Sequence, residues 1–586
     1  MGEFVGIDPL GADKLIRQME TGKDVLGRTR PGLEAAIAEA GEDWAGRGSV
    51  SGMHRTWAFF HESQQDLKWR VDSLKRMLPT RQKGMLTGTL PFANETEAAR
   101  AAGEDAKAIA EALKHHNQYL SGQSWREVEK ALAALKGKAD DPAYAAALLA
   151  TLGPKTFQKL FRDWMNTQAL GDRRGLTPDA LERAGDASPG LLARAFASAE
   201  GAERLGNQWQ KMVETAPSDI LTALVALAPQ SGTFLNRVST NLLNRPPNSD
   251  AFPTDPNWNL YNLAKAYQAN PQAFQRLLAE HQQEAGVLLA ADTIRSTGVQ
   301  AYEEALAKAL HGALTPGADV DAVRERAWLT VINSIGSEFT GWVGGRLGTF
   351  SDSPVSRVLA QDIIPILDEL ARGQAHRNSP EVPYLAPQPP WEKLDPTVSA
   401  RFFGALMQDS AAANTLMKSG TDYVRELDMG RFHPFDPSEA KQDAHVNLAE
   451  RTGALSNLLL AGSTYAEWSD DEYAERIAGF MLMPVDYFDQ YIPIASKIVA
   501  TGKAKGLDDV KDTMKSFITD YLDKRTPDTA RDVASRLVNE QTDWLNSSLK
   551  EHGQPPLTAS QRALIRDAMQ GRIQDALLDA LEIRGG

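Results

Sequence analysis

The chain has 586 residues, 42% hydrophobic and 24% charged, with 63 basic and 77 acidic side chains. That length is too great for one ordinary core and predicts two to four packed globular units. A net charge of −14 disfavours nucleic acid and anionic membranes as partners, and the lack of cysteine excludes disulfides, thiolate zinc sites and cysteine nucleophiles.

The first residues, "MGEFVGIDPLGADKLIRQ", lack a basic stretch followed by an apolar one, so no classical signal peptide is expected. No apolar run reaches the roughly 18 residues of a spanning helix. The expected location is cytoplasmic, or secreted by a route that needs no such peptide. Apolar residues recur at steps of three and four almost throughout, which is the helical period. The predicted fold is all-α: an N-terminal antiparallel helical hairpin followed by two or three packed helical bundles. Proline clusters at "NRPPNSDAFPTDPNW" and "NSPEVPYLAPQPPWEKLDP" cannot continue a helix. They set expected units at 1–80, 95–245, 255–377 and 395–586.

In the first unit Leu15, Met19, Leu26, Leu33, Ile37 and Ala40 keep the helical step. A second stripe, Trp57, Phe60, Leu67, Val71, Leu74 and Leu78, is close to a heptad seam and is broken only by Gln64. Between them lies "AGEDWAGRGSVSG", short enough that the helices must fold back on one another. Gly46, Gly48 and Gly52 let the chain reverse, and Trp44 is expected to cover the open end. Pro31 is expected to kink or split the first helix.

This hairpin resembles the WxG family, small helical hairpins exported by type VII secretion systems, with Trp44-Ala45-Gly46 as its WxG element. The resemblance covers about the first 80 residues and implies a hairpin that docks on another hairpin or on itself. The remainder resembles, more loosely, long alanine-rich helical proteins of actinobacteria. The family's export signal is a tyrosine followed four residues later by an acidic residue. None of the 12 tyrosines here has one, so export would depend on a partner carrying the signal. The interaction residues expected on this basis are Trp44, Gly46, Trp57, Phe60, Leu67, Val71 and Leu74.

Three Asx-Pro pairs, Asp141-Pro142, Asn270-Pro271 and Asp395-Pro396, each precede a bulky apolar pair six and seven residues beyond the proline: Leu148/Leu149, Leu277/Leu278 and Phe402/Phe403. The Asx side chain should cap a helix whose first position is the proline. A weak internal repeat or three ordinary helix starts would both give this pattern.

Catalytic chemistry is sparse. His433, Asp436, Glu439, Asp443 and His445 cluster between prolines without a standard ligand spacing, and read as an exposed loop rather than a metal site. His115 and His116 are adjacent, so on a helix they point about 100° apart and do not share a metal easily; they suit a helix end. The acidic run 468–475 reads as a capped first turn. No nucleophile-elbow, zinc-protease or phosphate-loop motif occurs, and neither a cofactor nor a metal is expected. In residues 328–350 Trp328, Phe339 and Trp342 share a face opposite glycines that include Gly341 and Gly345. Such a segment could pack closely on another helix or enter a bilayer; Glu338 and Arg346 favour packing. The expected function is a non-enzymatic helical interaction protein, a type VII secretion-associated component or cargo. The alternatives are a secreted effector with an active region from about residue 395, or a scaffold of a phage-like or injection particle.

Overall fold

The computed structural model describes residues 3–40, 47–77, 86–115, 123–169, 188–244, 256–289, 300–315, 322–338, 352–378, 391–426, 512–520, 526–551 and 556–559, with isolated positions between 455 and 478 and between 562 and 570. Among the described residues the fold is all-α apart from one two-stranded ribbon. Two compact units divide between Ala266 and Tyr267.

The first unit opens with β1 (Glu3–Ile7), α1 (Pro9–Ala40) and α2 (Arg47–Met77), followed by β2 (Leu86–Leu90). The strands pair antiparallel, Glu3 opposite Leu90 and Ile7 opposite Leu86. At five residues each, they are too short to leave a legible alternation in the sequence. Next come α3 (Glu95–His115), α4 (Gln123–Ala133), α5 (Pro142–Ala169), α6 (Ser188–Gly201), α7 (Asn207–Thr215), α8 (Ser218–Leu227) and α9 (Gly232–Leu243), and the division falls within α10 (Pro256–Ala269). Helix α5 packs on α3 and α6. It is two helices joined at Gly153, whose φ of 72° precedes Pro154; glycine adopts that angle without a Cβ clash. The core holds an aromatic cluster in which Phe157 meets Phe161, Phe196 and Trp209 at centroid distances of 5.0–5.5 Å. His115 ends α3, as its position predicted.

Pro31 does not split α1, which runs unbroken from Pro9 to Ala40. The proline removes the amide that would bond the Gly27 carbonyl, and both residues are exposed, so water can replace that donor. Pro31→Ala should therefore stabilise the hairpin by roughly 1–3 kcal/mol, since proline is the least favourable helix-interior residue. Thermal unfolding followed by helical circular dichroism would register the gain.

The second unit contains α11 (Pro271–Glu280), α12 (Gln282–Leu289), α13 (Gln300–Leu314), α14 (Ala322–Glu338), α15 (Pro354–Asp362), α16 (Leu367–Asn378), α17 (Pro396–Met407), α18 (Ser410–Glu426) and α19 (Pro527–Glu551). Helix α14 is central, packing on α11, α12 and α17, and its Trp328 is fully buried. The Asx-Pro helix starts form as caps. Asp141 accepts from the amides of Ala143 and Tyr144, Asn270 from Ala273, and Asp395 from Thr397. All six residues of their apolar pairs are buried.

A fourth copy of the pattern, missed in the sequence, starts α1. Asp8 accepts from the amides of Leu10 and Gly11 at 3.2 and 3.1 Å, Pro9 follows it, and Leu15/Ile16 stand six and seven residues on. Here alone among the four, the pair is not buried: Leu15 is exposed and Ile16 half-buried.

Candidate functional site

The candidate site lies on α1 and α2. Helices α1 and α2 run antiparallel, tied by Lys75 to Asp13 at 3.0 Å, Lys23 to Gln64 at 3.3 Å and His54 to Glu34 at 3.4 Å. Gln64, the break in the apolar stripe, is buried; its amide donates to the Ile16 carbonyl while its oxygen accepts from Lys23. A polar residue is tolerated there because both ends of its side chain are bonded.

Successive helical residues turn about 100°. In an antiparallel pair this puts Leu15, Val25, Leu33 and Ala36 of α1 on the same side as Met53, Phe60 and Leu67 of α2. Only glycine, serine, threonine and glutamine punctuate that face, and no charged side chain falls on it. The same face continues down α2 to Val71 and Leu74, which are buried where α2 packs on β2 and α5. The body of the first unit thus covers one end of the stripe and leaves the rest open. Val25 is 53% exposed and Leu15 47%. Trp57, at 36%, stacks on His61 with ring centroids 5.2 Å apart, and Phe59 on the outer edge is 64% exposed.

The covered end is held by one carboxylate. Asp141, buried at the start of α5, accepts from Trp69 Nε1 at 3.0 Å and Ser73 Oγ at 3.1 Å, both on α2, while its other oxygen caps α5. Burial raises its pKa above the ordinary aspartate value, against the opposite pull of these four donors. Tyr144, one residue into the cap, donates to Asp105 of α3 at 2.5 Å. Trp69 and Asp141 were absent from the expected site. Their only sequence signal was Trp69 beside the Val71/Leu74 stripe and an Asp-Pro pair read as a cap alone.

Between α1 and α2 lies a gap of about 120 Å³ lined by Leu26, Gly27, Leu33, Val50, Met53, His54 and Trp57. A Cβ built on Gly27 would meet only Trp57 Nε1, at 3.8 Å, so the missing side chain leaves this space open.

The expected interaction residues therefore separate. Val71 and Leu74 are buried in the interior of the first unit, where α2 packs on β2 and α5. Phe60 and Leu67 are half-buried and Trp57 is exposed. Trp44 and Gly46 lie outside the described residues, as do Phe339, Gly341, Trp342, Gly345 and the His433–His445 cluster. Trp328 is a core residue of the second unit.

Elsewhere, His311 Nδ1 is 2.8 Å from Asp362 Oδ2, tying α13 to α15, with Thr315 Oγ1 at 3.2 Å from the same nitrogen. Burial raises the Asp362 pKa while His311 opposes it. Beyond Thr315, no hydroxyl bonds that imidazole among the described residues, so the pair is a tie between helices. Among the described residues there is no group of three metal-binding side chains, and no helix is long and apolar enough to cross a membrane. No family model, curated protein or solved structure matches the chain.

Proposed function

We propose that the protein is an interaction protein that docks through the open part of its N-terminal hairpin, as a type VII secretion-associated component or cargo. The observation that carries this reading is the charge-free apolar face of α1 and α2, exposed at Leu15 and Val25 and buried only where the first unit reaches it. Isolated exposed apolar residues need no explanation, but an uncharged face that carries several of them along a long hairpin is suited to being covered by something else. The WxG-like motif, Trp44-Ala45-Gly46, supports the secretion setting.

Deleting residues 1–80 would be a poor test, because it removes Trp69, Val71 and Leu74 from the core. The double variant Leu15→Glu/Val25→Glu places two charges on the open face without touching that core. It should reduce binding at least tenfold, to itself or to a co-expressed helical-hairpin partner, while the thermal midpoint stays unchanged. Release into the medium should fall in an actinobacterial host lacking type VII machinery. Equal association of variant and wild type would refute the docking reading, and export independent of that machinery would refute the secretion setting.

A further inference from the structure

The geometry points to His311 as a phosphoryl acceptor, whose Nε2 takes a phosphoryl group from a donor of the phosphoramidate or acyl-phosphate class. The site lies in the second unit and does not rest on the docking reading.

Ring orientation comes first. The hydrogen bond made by one imidazole nitrogen decides which of the two carries the proton. His311 Nδ1 faces Asp362 Oδ2 at 2.8 Å, and Thr315 Oγ1 lies 3.2 Å from the same atom. The Thr315 hydroxyl donates to the His311 carbonyl, so both neighbours of Nδ1 are acceptors and the proton sits there. Nε2 keeps its lone pair and has no hydrogen bond among the described residues. The histidine is exposed and Asp362 is buried, so the carboxylate is fixed and the reactive nitrogen faces outward. A carboxylate on the far side orients the ring, makes Nε2 more nucleophilic and offsets the positive charge the ring gains on bond formation.

Two other histidine–carboxylate pairs among the described residues lack this arrangement. His54 and His115 meet Glu34 and Glu111 through Nε2, at 3.4 and 3.2 Å, and both carboxylates are exposed. Their outer nitrogen is therefore occupied, and the acid that occupies it is not held in place.

A phosphoryl group brings about two negative charges, and the surroundings of His311 can meet them. Lys308 stands three residues earlier on α13, where it reaches the same patch of helix surface. It is exposed and makes no ion pair among the described residues. Gly312, the residue after His311, packs on Pro271: a Cβ there would lie 2.8 Å from the proline Cβ. That contact brings the first turn of α11, the end of a helix that favours anions, alongside. The carbonyl end of α13, where His311 occupies the last turn, acts against the added charge, and Lys308 and the α11 terminus act for it. In the step, the Nε2 lone pair forms an N–P bond as the donor's P–N or P–O bond breaks. The leaving amine or carboxylate keeps that bond's electron pair, and the Nδ1 proton is shared with Asp362.

The test is incubation of the full chain with phosphoramidate at neutral pH. Mass spectrometry of its peptides locates the label, and phosphorus NMR identifies the nitrogen that carries it. His115 is the internal comparison, because its side chain is 79% exposed against 51% for His311. Accessibility alone would label His115 faster, whereas His311 should label faster by about tenfold or more. Asp362→Asn keeps an acceptor for Nδ1 and removes the charge. It should hold the thermal midpoint, slow His311 by about tenfold and leave His115 unchanged, a selectivity that a merely structural aspartate would not give. Lys308→Ala, a surface change, should slow His311 by roughly two- to fivefold. Labelling that follows exposure, label on Nδ1, or an Asp362→Asn variant that reacts like wild type would each overturn the proposal. Should Asp362→Asn fail to fold, Lys308→Ala and the His311 to His115 ratio in wild type decide the matter.

Discussion

Asp141→Ala is expected to cost about 3–5 kcal/mol of stability in the first unit and to loosen the hairpin from it. The carboxylate accepts from Trp69 Nε1, Ser73 Oγ and the amides of Ala143 and Tyr144. Losing a helix cap costs about 1 kcal/mol, and each buried donor left without a partner costs about 1–3 kcal/mol. Trp69 and Ser73 are both fully buried, so water does not readily replace the acceptor. Denaturant unfolding would measure the loss, and hydrogen exchange at residues 69–74 would show whether α2 opens first. Asp141→Asn adds a test of charge. Because burial raises the Asp141 pKa, the folded state holds the proton more tightly than the unfolded chain. Its contribution is then fully present below the ordinary aspartate value and declines as pH rises through the raised one. The asparagine has no such proton, so the stability gap between wild type and Asp141→Asn should narrow as pH rises from about 3 to 7. A gap that widens would contradict burial as the dominant influence.

Gly336→Ala should be nearly as damaging, by about 3 kcal/mol or more, in the second unit. A Cβ at Gly336 would fall on the Val398 carbonyl oxygen and 2.8 Å from its Cγ1. The obstructing atom is backbone at the start of α17, so it cannot swing aside as a side-chain tip would. Relief requires α14 and α17 to separate, and overpacking of this kind typically costs 1–3 kcal/mol, sometimes more. Helix α17 is tight on a second side, since a Cβ on Gly462 would sit 2.7 Å from the Phe403 Cβ. The penalty outweighs the roughly 1 kcal/mol that alanine gains over glycine in a helix. A thermal midpoint equal to or above wild type would show that the close approach is not obligatory.

Gly336 also bears on the part of the glycine-rich segment that the structure describes. That part, Trp328 to Glu338, is the C-terminal portion of central helix α14, and Gly336 serves the close approach of α17. Hydropathy alone could not separate that role from membrane entry, because both want an apolar face opposite small residues.

What the sequence determined by itself was local. The three- and four-residue step dictates helix nearly everywhere, because a chain with that periodicity can bury its apolar side only when helical. Asp141, Asn270 and Asp395 announce helix starts, because a carboxyl or amide oxygen and a following proline meet the needs of a helix N-terminus without help from elsewhere. The apolar stripe on α2 was legible for the same reason. Its fate was not. From Trp57 to Leu74 the stripe reads as one continuous surface, yet Val71 and Leu74 are buried against the first unit while Leu15 and Val25, on the same face, are open to solvent. Periodicity reports that a face is apolar and says nothing of what covers it. That depends on contacts such as Trp69 to Asp141, 72 residues apart, and contacts at that separation exist only once the chain has folded.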